Sequence, residues 1–369
     1  MGPWAAHVLA DYGADVIKVE SPDGDIMRQT VPERHPGMGA VFLNINRGKR
    51  SIVLDLKTPA GRTALLKLCA RADVLVHNVR PEAMRRLGLA YDDVRKANAE
   101  IVYVSLVGFS QAGPYAKRAA YDDLIQGACG LASLFERSGG DRPRYVPMLV
   151  VDRAVGLSAA SAILAALLYR ERTGAGQAVD VPMFETMVEL VLSDHLGGST
   201  FLPPHEPMGY QRILTEYRRP YRTTDGYVCV LLYNEEHWQR FFTVAGEAER
   251  FAGDARLSDA AVRRERYDEA YRVVEEIIAT RTSREWLELL ETHDIPVMPM
   301  HDLESLLDDP HLTATGFFTE YDHPTEGRLR SLGVPATWSA SQPGTPGPVP
   351  TLGQHTAEIL RELAMESDA

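Results

Sequence analysis

The sequence predicts a large α/β domain built on a doubly wound parallel sheet, followed by a smaller α+β domain. Strand-like and helix-like segments alternate through the first half of the 369-residue chain, and that alternation is typical of a parallel sheet covered by helices. From residue 221 the pattern changes to two strand-like runs joined by an Asp-Gly turn, which indicates a hairpin and a second architecture. Hydrophobic residues make up 45% of the chain, enough for a full core.

The α/β elements follow one another in a regular order. A short amphipathic helix at 5–12 leads through Gly13-Ala14-Asp15 into the first strand. Thr58 and Pro59 are a favoured N-cap and first helical residue, so they predict the start of a helix. The predicted strands are 16–20, 51–56, 72–77, 101–106 and 177–183, and the later helices are 60–71, 82–86, 91–98, 121–134, 154–172 and 184–196.

The composition of the connecting segments divides the chain into four parts. Residues 1–196 form the large domain, and 197–216 form a linker rich in Gly, Ser and Pro. Residues 217–310 form the small domain. The part from 311 to 369 returns through a proline-rich stretch to a final helix, which we expect to pack on the large domain.

Charge and cysteine content exclude several classes of function. The net charge of -12 disfavours nucleic-acid binding. The cysteines, Cys69, Cys129 and Cys229, have neither a disulfide pattern nor metal-ligand spacing, so we expect no metal. The most apolar helix, around 159–169, is too short to span a membrane, and no signal peptide is recognisable. A cytoplasmic protein that binds no membrane is therefore expected, and the lack of a G-x-G-x-x-G motif disfavours a nicotinamide cofactor.

Asp152 lies where the apolar run 148–151 meets a long helical pattern. A carboxylate at such a junction is either an N-cap or a reactive group. The apolar residues that follow have the spacing of a buried helix face, and the pattern predicts a helix that is buried nearly all round. The residues of that predicted face are Ala154, Leu157, Ala160, Leu164, Leu167 and Leu168.

A motif after this helix carries a family resemblance. Residues 170–180 read R-x-R-T-G-x-G-Q-x-V-D, which resembles the class III coenzyme A transferases, the CaiB/BaiF family. Three further segments are similar to that family in the same order: D-V-x-x-x-N-x-R-P at 73–81, Y-D-x-x-x-Q-G at 121–127 and L-G-x-H-T-x-E-I-L at 352–360. The resemblance implies a Rossmann-like large domain and an interlocked homodimer. The family carries a strand before the first helix, so we expect the native start to lie upstream.

The resemblance also implies an activity and a set of site residues. Asp152 would be the nucleophile that moves CoA between an acyl-CoA donor and a free carboxylic acid, through an acyl anhydride and an aspartyl-CoA thioester. Lys57, at a strand end before a helix, would neutralise a CoA phosphate, although its residue type alone fits a solvated surface lysine. The expected contacts of CoA are Leu54, Lys57, Asn78, Val79, Arg80, Arg86 and Tyr121, of which Leu54 alone fits a core residue equally well.

Two other functions stay open on the sequence. An acyl-CoA racemase of the same family needs two groups on opposite faces of the α-carbon. Its histidine would replace Tyr121, and this chain has no histidine between His77 and His195, which disfavours racemisation. A non-catalytic CoA-binding protein is the alternative from a different class, and a covalent adduct on Asp152 would distinguish an enzyme from it.

Overall fold

The computed structural model of this protein describes residues 1–344 and 346–365. Its strands are β1 Val16–Glu20, β2 Lys49–Val53, β3 Val74–His77, β4 Val102–Val107, β5 Gln177–Pro182, β6 Tyr221–Arg222, β7 Tyr227–Val230, β8 Val297–Pro299, β9 Phe318–His323 and β10 Gly327–Leu332. Its helices are α1 Gly2–Asp11, α2 Ala40–Ile45, α3 Pro59–Cys69, α4 Pro81–Leu87, α5 Tyr91–Val94, α6 Asp122–Ala128, α7 Ser133–Arg137, α8 Val150–Thr173, α9 Met183–His195, α10 Gln211–Leu214, α11 Glu235–Ala245, α12 Ala248–Gly253, α13 Ala255–Ser258, α14 Ala260–Glu265, α15 Tyr267–Ile278, α16 Ser283–Thr292, α17 Pro310–Ala314 and α18 Thr356–Met365.

The predicted parallel pairing is confirmed in the first half of the chain. β1 pairs with β2, and β3, β4 and β5 pair in that order, all in parallel. The hydrogen bonds within the described residues arrange these strands as a two-stranded and a three-stranded sheet rather than one continuous sheet. Because β3 and β4 are adjacent and parallel, their carboxyl ends lie at the same edge, where α/β proteins bind ligands.

Contacts between Cα atoms divide the chain into two compact units. The first unit comprises 1–129, 146–190 and 310–369, and the second comprises 130–145 and 191–309. The segment 130–145 therefore groups with the second unit, which its sequence did not indicate. The predicted boundaries at 196, 216 and 310 stay predictions.

Each unit has its own core. In the first unit Ile52, Leu65 and Ile101 belong to an apolar cluster from β2, α3 and the start of β4. In the second unit the fully buried Phe241 and Trp286 are stacked with ring centroids 5.8 Å apart. Burial of aromatic side chains of this size dominates the stability of a small core.

One predicted helix is divided in two. The sequence predicted a single helix over 121–134, and the structure has α6 and α7 instead. Gly130 lies between them with a φ of +88°, a left-handed conformation that ends a right-handed helix.

The predicted buried face of α8 is wrong for Leu157, Leu164 and Leu168, whereas Ala160 is buried as predicted. Leu157, Leu164 and Leu168 are 50%, 46% and 52% exposed. The buried residues are instead mostly small or β-branched, and they include Val151, Val155, Gly156, Ala159, Ala160, Ile163 and Ala166. Small side chains let α1, β4 and β5 approach the helix closely, so the bulky leucines face outward.

The length of α8 also differs from the prediction. The helix has 24 residues, and its most apolar 18-residue window has a mean hydropathy of 1.6, so by length and composition alone it suits a membrane span. The expectation that this segment is too short is therefore wrong. Core helices of soluble proteins pass the same test, and 39% of the window is buried within the protein.

Candidate active site

Asp152 lies in the first turn of α8. The helix begins at Val150, and Leu149 occupies the N-cap position without a side-chain hydrogen bond. The expectation of an N-cap at Asp152, after an apolar strand-like run, is therefore wrong, because the helix has already started. The carboxylate is 30% exposed, and its Oδ1 lies 3.1 Å from the α-amino group of Met1. Burial lowers the pKa of that amino group, and the charge of Asp152 opposes the shift.

A buried carboxylate from another helix caps the first turn of α8. The backbone N–H of Asp152 donates to Oδ2 of Asp122 at 2.9 Å. Oδ1 of Asp122 accepts from Nε2 of Gln126 at 2.8 Å, and Oε1 of Gln126 accepts from the N–H of Val146 at 2.8 Å. Asp122 is 7% exposed and Gln126 is fully buried. This chain of hydrogen bonds fixes where α8 begins and thus where the Asp152 side chain points.

The start of α1 covers the same turn of α8. The Arg153 guanidinium lies 4.5 Å from the ring centroid of Trp4. A Cβ added at Gly156 would lie 2.8 Å from Cδ1 of Trp4 and 3.0 Å from the carbonyl oxygen of Met1, so only glycine allows this approach. Burial lowers the pKa of Arg153, and the negative charges of Asp152 and Asp122 oppose that shift without cancelling it. A cation therefore lies next to the candidate nucleophile.

The loop after β3 reaches the same end of α1. A Cβ added at Gly2 would lie 4.0 Å from Cγ of Asn78, so Asn78 lies beside the start of α1. His77 supports this loop, because its Nδ1 donates to the carbonyl of Val79 at 3.1 Å and its Nε2 lies 2.9 Å from the hydroxyl of Tyr103. Burial lowers the pKa of His77. Asn78 and Asp152 thus both lie against the first residues of α1.

The other predicted CoA contacts divide into exposed and buried side chains. Lys57 and Arg86 are exposed, and neither forms an ion pair within the part of the chain that the structure describes. Lys57 precedes α3, whose N-cap Thr58 accepts from the N–H of Gly61 at 3.1 Å. Val79 is 40% exposed and Tyr121 71% exposed, and Arg80 is an exposed residue at the start of α4. Leu54 is 7% exposed and belongs to the core of the first unit.

The arrangement around Asp152 suits nucleophilic chemistry. Among residues 1–344 and 346–365, no group of three or more His, Cys, Asp or Glu side chains could hold a metal. What the structure brings together is a half-buried carboxylate at a helix start and the adjacent guanidinium of Arg153.

Sequence reasoning missed the two residues that hold this turn in place. On the sequence alone, neither Asp122 nor Gln126 is assigned to the site. Both are part of the Y-D-x-x-x-Q-G segment, and the spacing of four residues places Asp and Gln on one face of α6. That spacing was the available signal, but it did not show that the pair faces α8.

Comparisons with known proteins show which family this chain belongs to. A family model described as CoA-transferase family III matches residues 1–356. A probable fatty acyl-CoA transferase of Mycobacterium tuberculosis is 32% identical over 97% of this chain and 93% of its own length. The succinate–glutarate CoA-transferase of Agrobacterium fabrum is 32% identical over 98% of this chain and 92% of its own length. The crystal structure of a CaiB/BaiF family protein from Brucella suis has a TM-score of 0.82 at 30% identity, covering 98% of this chain and 95% of that chain. The chain belongs to the class III CoA-transferase family, also known as the CaiB/BaiF family.

Proposed function

We propose that this protein transfers CoA from an acyl-CoA to a free carboxylic acid, with Asp152 as the nucleophile. The observation that carries the proposal is the placement of Asp152, a half-exposed carboxylate whose backbone is fixed by the buried Asp122. Relatives named as CoA-transferases for succinate, glutarate, mesaconate and oxalate support the reaction class.

The proposed reaction proceeds through four successive exchanges at carbonyl carbons. The Asp152 carboxylate attacks the thioester carbon of the donor, the C–S bond breaks, and CoA leaves as a thiolate. The thiolate then attacks the Asp152 carbonyl carbon of the anhydride, so the donor acid leaves and an aspartyl-CoA thioester forms. The acceptor carboxylate displaces the thiolate from Asp152 to form a second anhydride. Finally the thiolate takes the acceptor acyl group and restores the Asp152 carboxylate.

No net proton transfer occurs in this sequence, because every attacking and leaving group is an anion. The protein therefore needs to stabilise negative charge, and it does not need to donate or accept a proton. The first turn of α8 and the Arg153 guanidinium supply positive potential at the place where negative charge develops. Trp4 and the start of α1 cover one side of the turn and would limit attack by water on the anhydride.

The experiment for the nucleophile is trapping with hydroxylamine, which converts an aspartyl anhydride or thioester into a hydroxamate. The protein is incubated with succinyl-CoA and hydroxylamine and then mapped by peptide mass spectrometry. A hydroxamate on Asp152 is expected. In the Asp152→Ala protein, treated in the same way, no modified aspartate is expected. A hydroxamate on Asp122 or Asp123 would contradict the assignment. A parallel panel of succinate, glutarate, mesaconate and oxalate as acceptors identifies the preferred acid.

We also propose that CoA binds at the carboxyl ends of β2 and β3, with its phosphates near Lys57 and Arg86. Both cations are exposed and lack a protein partner among the described residues, so an anionic ligand would not have to displace an ion pair. Replacing Lys57 by Ala is expected to weaken CoA binding by about 1–3 kcal/mol, the range of a charge-assisted hydrogen bond. Calorimetric titration with CoA measures the change. Lys67→Ala, another charge change on α3 away from the strand end, is the control, and equal affinities in all three proteins would remove Lys57 from the site.

The proposed active form is a homodimer, and the interlocked arrangement is part of the same proposal. Leu157, Leu164 and Leu168 share one face of α8 and stay about half exposed in the single chain. A contiguous apolar face of this kind is typical of an interface. Leu164→Asp is expected to shift the mass measured by light scattering toward the monomer. Leu202→Asp, at a leucine that is 92% exposed on the second unit, is the control and is expected to leave the mass unchanged. A wild-type chain that runs as a monomer would contradict the proposal.

A further inference from the structure

A pocket in the second unit is lined by tyrosine rings and arginine side chains. Its volume is about 290 Å³, and its walls come from α10, α11, α14, α15 and the segment that follows β7. The rings of Tyr267 and Tyr271 are stacked with centroids 5.9 Å apart and form one wall, and the buried Trp238 also lines the pocket. Aromatic walls with a few directed polar groups are typical of small-molecule sites.

Three arginines line the pocket; Arg264 is exposed, and the other two have different environments. Arg263 is 4% exposed, lies 4.4 Å from the Trp238 ring centroid and pairs with the carboxylate of Glu235, so its charge is neutralised within the fold. Arg212 is half-buried and has no carboxylate partner among the residues that the structure describes. Its direct contacts are with tyrosines: its Nε lies 3.5 Å from the hydroxyl of Tyr271, its guanidinium lies 4.9 Å from the Tyr233 ring centroid, and the hydroxyl of Tyr210 is a further hydrogen-bond partner.

This difference identifies the polar end of the pocket. Arg212 is partly removed from water and contacts tyrosine hydroxyls and one ring face, and no carboxylate among the described residues neutralises its charge, so its remaining N–H donors can serve a ligand. The planar fork of donors matches a carboxylate in two parallel hydrogen bonds. The tyrosine rings beside Arg212 would cover a flat, unsaturated group attached to that carboxylate.

We propose that this pocket binds an aryl carboxylate, with the carboxylate on Arg212 and the ring against the tyrosine wall. The volume supports a small ligand, because an apolar cavity of about 150 Å³ accepts benzene and about 290 Å³ leaves room for a ring with a short acidic arm. A complete CoA nucleotide is larger than this space. The residues that line the pocket all belong to the second unit, and its occupation needs no acyl-CoA.

The test is calorimetric titration of the full-length protein with phenylacetate. Saturable binding is expected, together with a loss of about 10- to 100-fold in affinity for Arg212→Gln, because the substitution removes a charge-assisted pair. Phenylacetamide, which has the same ring without the charge, is expected to show the same loss in the wild-type protein. The matched control is Arg218→Gln, an exposed arginine of the same unit that does not line the pocket, and its affinity should equal that of the wild type.

A second variant keeps the test decisive if Arg212→Gln does not fold. Tyr233 is 67% exposed, so Tyr233→Leu is expected to fold, as checked by its melting temperature, and to bind phenylacetate about 3- to 10-fold more weakly. No saturable binding, equal affinities for phenylacetate and phenylacetamide, or an equal loss in Arg218→Gln would overturn the proposal. Tighter binding of adenosine 3′,5′-bisphosphate that depends on Arg212 would overturn the carboxylate assignment, because a purine phosphate would then be the ligand.

Discussion

The two ends of α8 are held in different ways. At its carboxyl end Gly174 has a φ of +71°, its N–H donates to the carbonyl of Arg170 at 2.7 Å, and basic side chains occupy the last turn. At its amino end Leu149 provides no side-chain cap, and Asp122 supplies the acceptor from 30 residues away in sequence. The end that terminates the helix is thus determined by neighbouring residues, whereas the end that carries the candidate nucleophile depends on tertiary contacts.

This difference explains what the sequence could predict about the helix. A basic last turn followed by glycine is a local signal, so the end of α8 was predicted to within one residue. The start was predicted too late, and Asp152 was one candidate for the cap position, because no local pattern reports that Asp122 faces this turn. The position of the amino end of α8 therefore depends on residues from several segments of the chain. The carboxyl end depends only on the few residues of its own cap.

The largest expected effect is a loss of transfer activity, and it should follow a substitution at the amino end of α8 but not one at its carboxyl end. Asp152→Ala removes the carboxylate that forms the proposed covalent intermediates, so transfer from succinyl-CoA is expected to fall by at least about a thousandfold. Arg172→Ala, an exposed change in the last turn of the same helix, is expected to leave turnover within about twofold of the wild type, as is usual for surface substitutions. Initial rates of acceptor-dependent transfer measure both. Full activity in Asp152→Ala would break the assignment.

The next largest effect is expected at Asp122, the buried carboxylate that caps the first turn of α8. Both carboxylate oxygens of Asp122 accept hydrogen bonds, one from the N–H of Asp152 and one from Nε2 of Gln126. Asn has a single acceptor, and a rotation of the Gln126 amide would break its bond to Val146. Asp122→Asn is therefore expected to lower the free energy of unfolding by about 1–3 kcal/mol and to reduce kcat more than it weakens CoA binding.

The adjacent residue offers a matched control for that prediction. Asp123 is exposed and forms no hydrogen bond among the described contacts, so Asp123→Asn is expected to change neither stability nor kcat. Denaturant unfolding, initial rates and CoA titration are compared for both variants. If Asp122→Asn lowers stability and leaves kcat unchanged, Asp122 holds the fold together but does not position the nucleophile.

The rest of the fold shows the same division between local and tertiary information. The parallel strands and the cap at Thr58 followed from local patterns and are found in the structure. The buried face of α8 was predicted wrongly, because side-chain hydrophobicity alone favours burial of Leu157 and Leu164. The structure instead buries the small residues that allow close approach of neighbouring elements, and spacing cannot show which face those neighbours occupy.

The smallest expected effect compares one substitution at two glycines of this helix region. A Cβ at Gly174 meets nothing within 4 Å, so Gly174→Ala is disfavoured only by the left-handed φ, by about 1–2 kcal/mol. Its kcat should stay at the wild-type value, because the carboxyl end is not part of the site. A Cβ at Gly156 would lie 2.8 Å from Cδ1 of Trp4.

Gly156→Ala must therefore move α1 away from the turn that carries Asp152, and overpacking of this kind costs about 1–3 kcal/mol. The two variants are expected to lose similar stability in denaturant unfolding but to differ in kcat, with a loss only for Gly156→Ala. Equal kcat values in both would mean that the contact between α1 and α8 does not influence the nucleophile. A loss of kcat in Gly174→Ala would mean that the two ends of α8 are coupled, and that the local cap at its carboxyl end also contributes to the site.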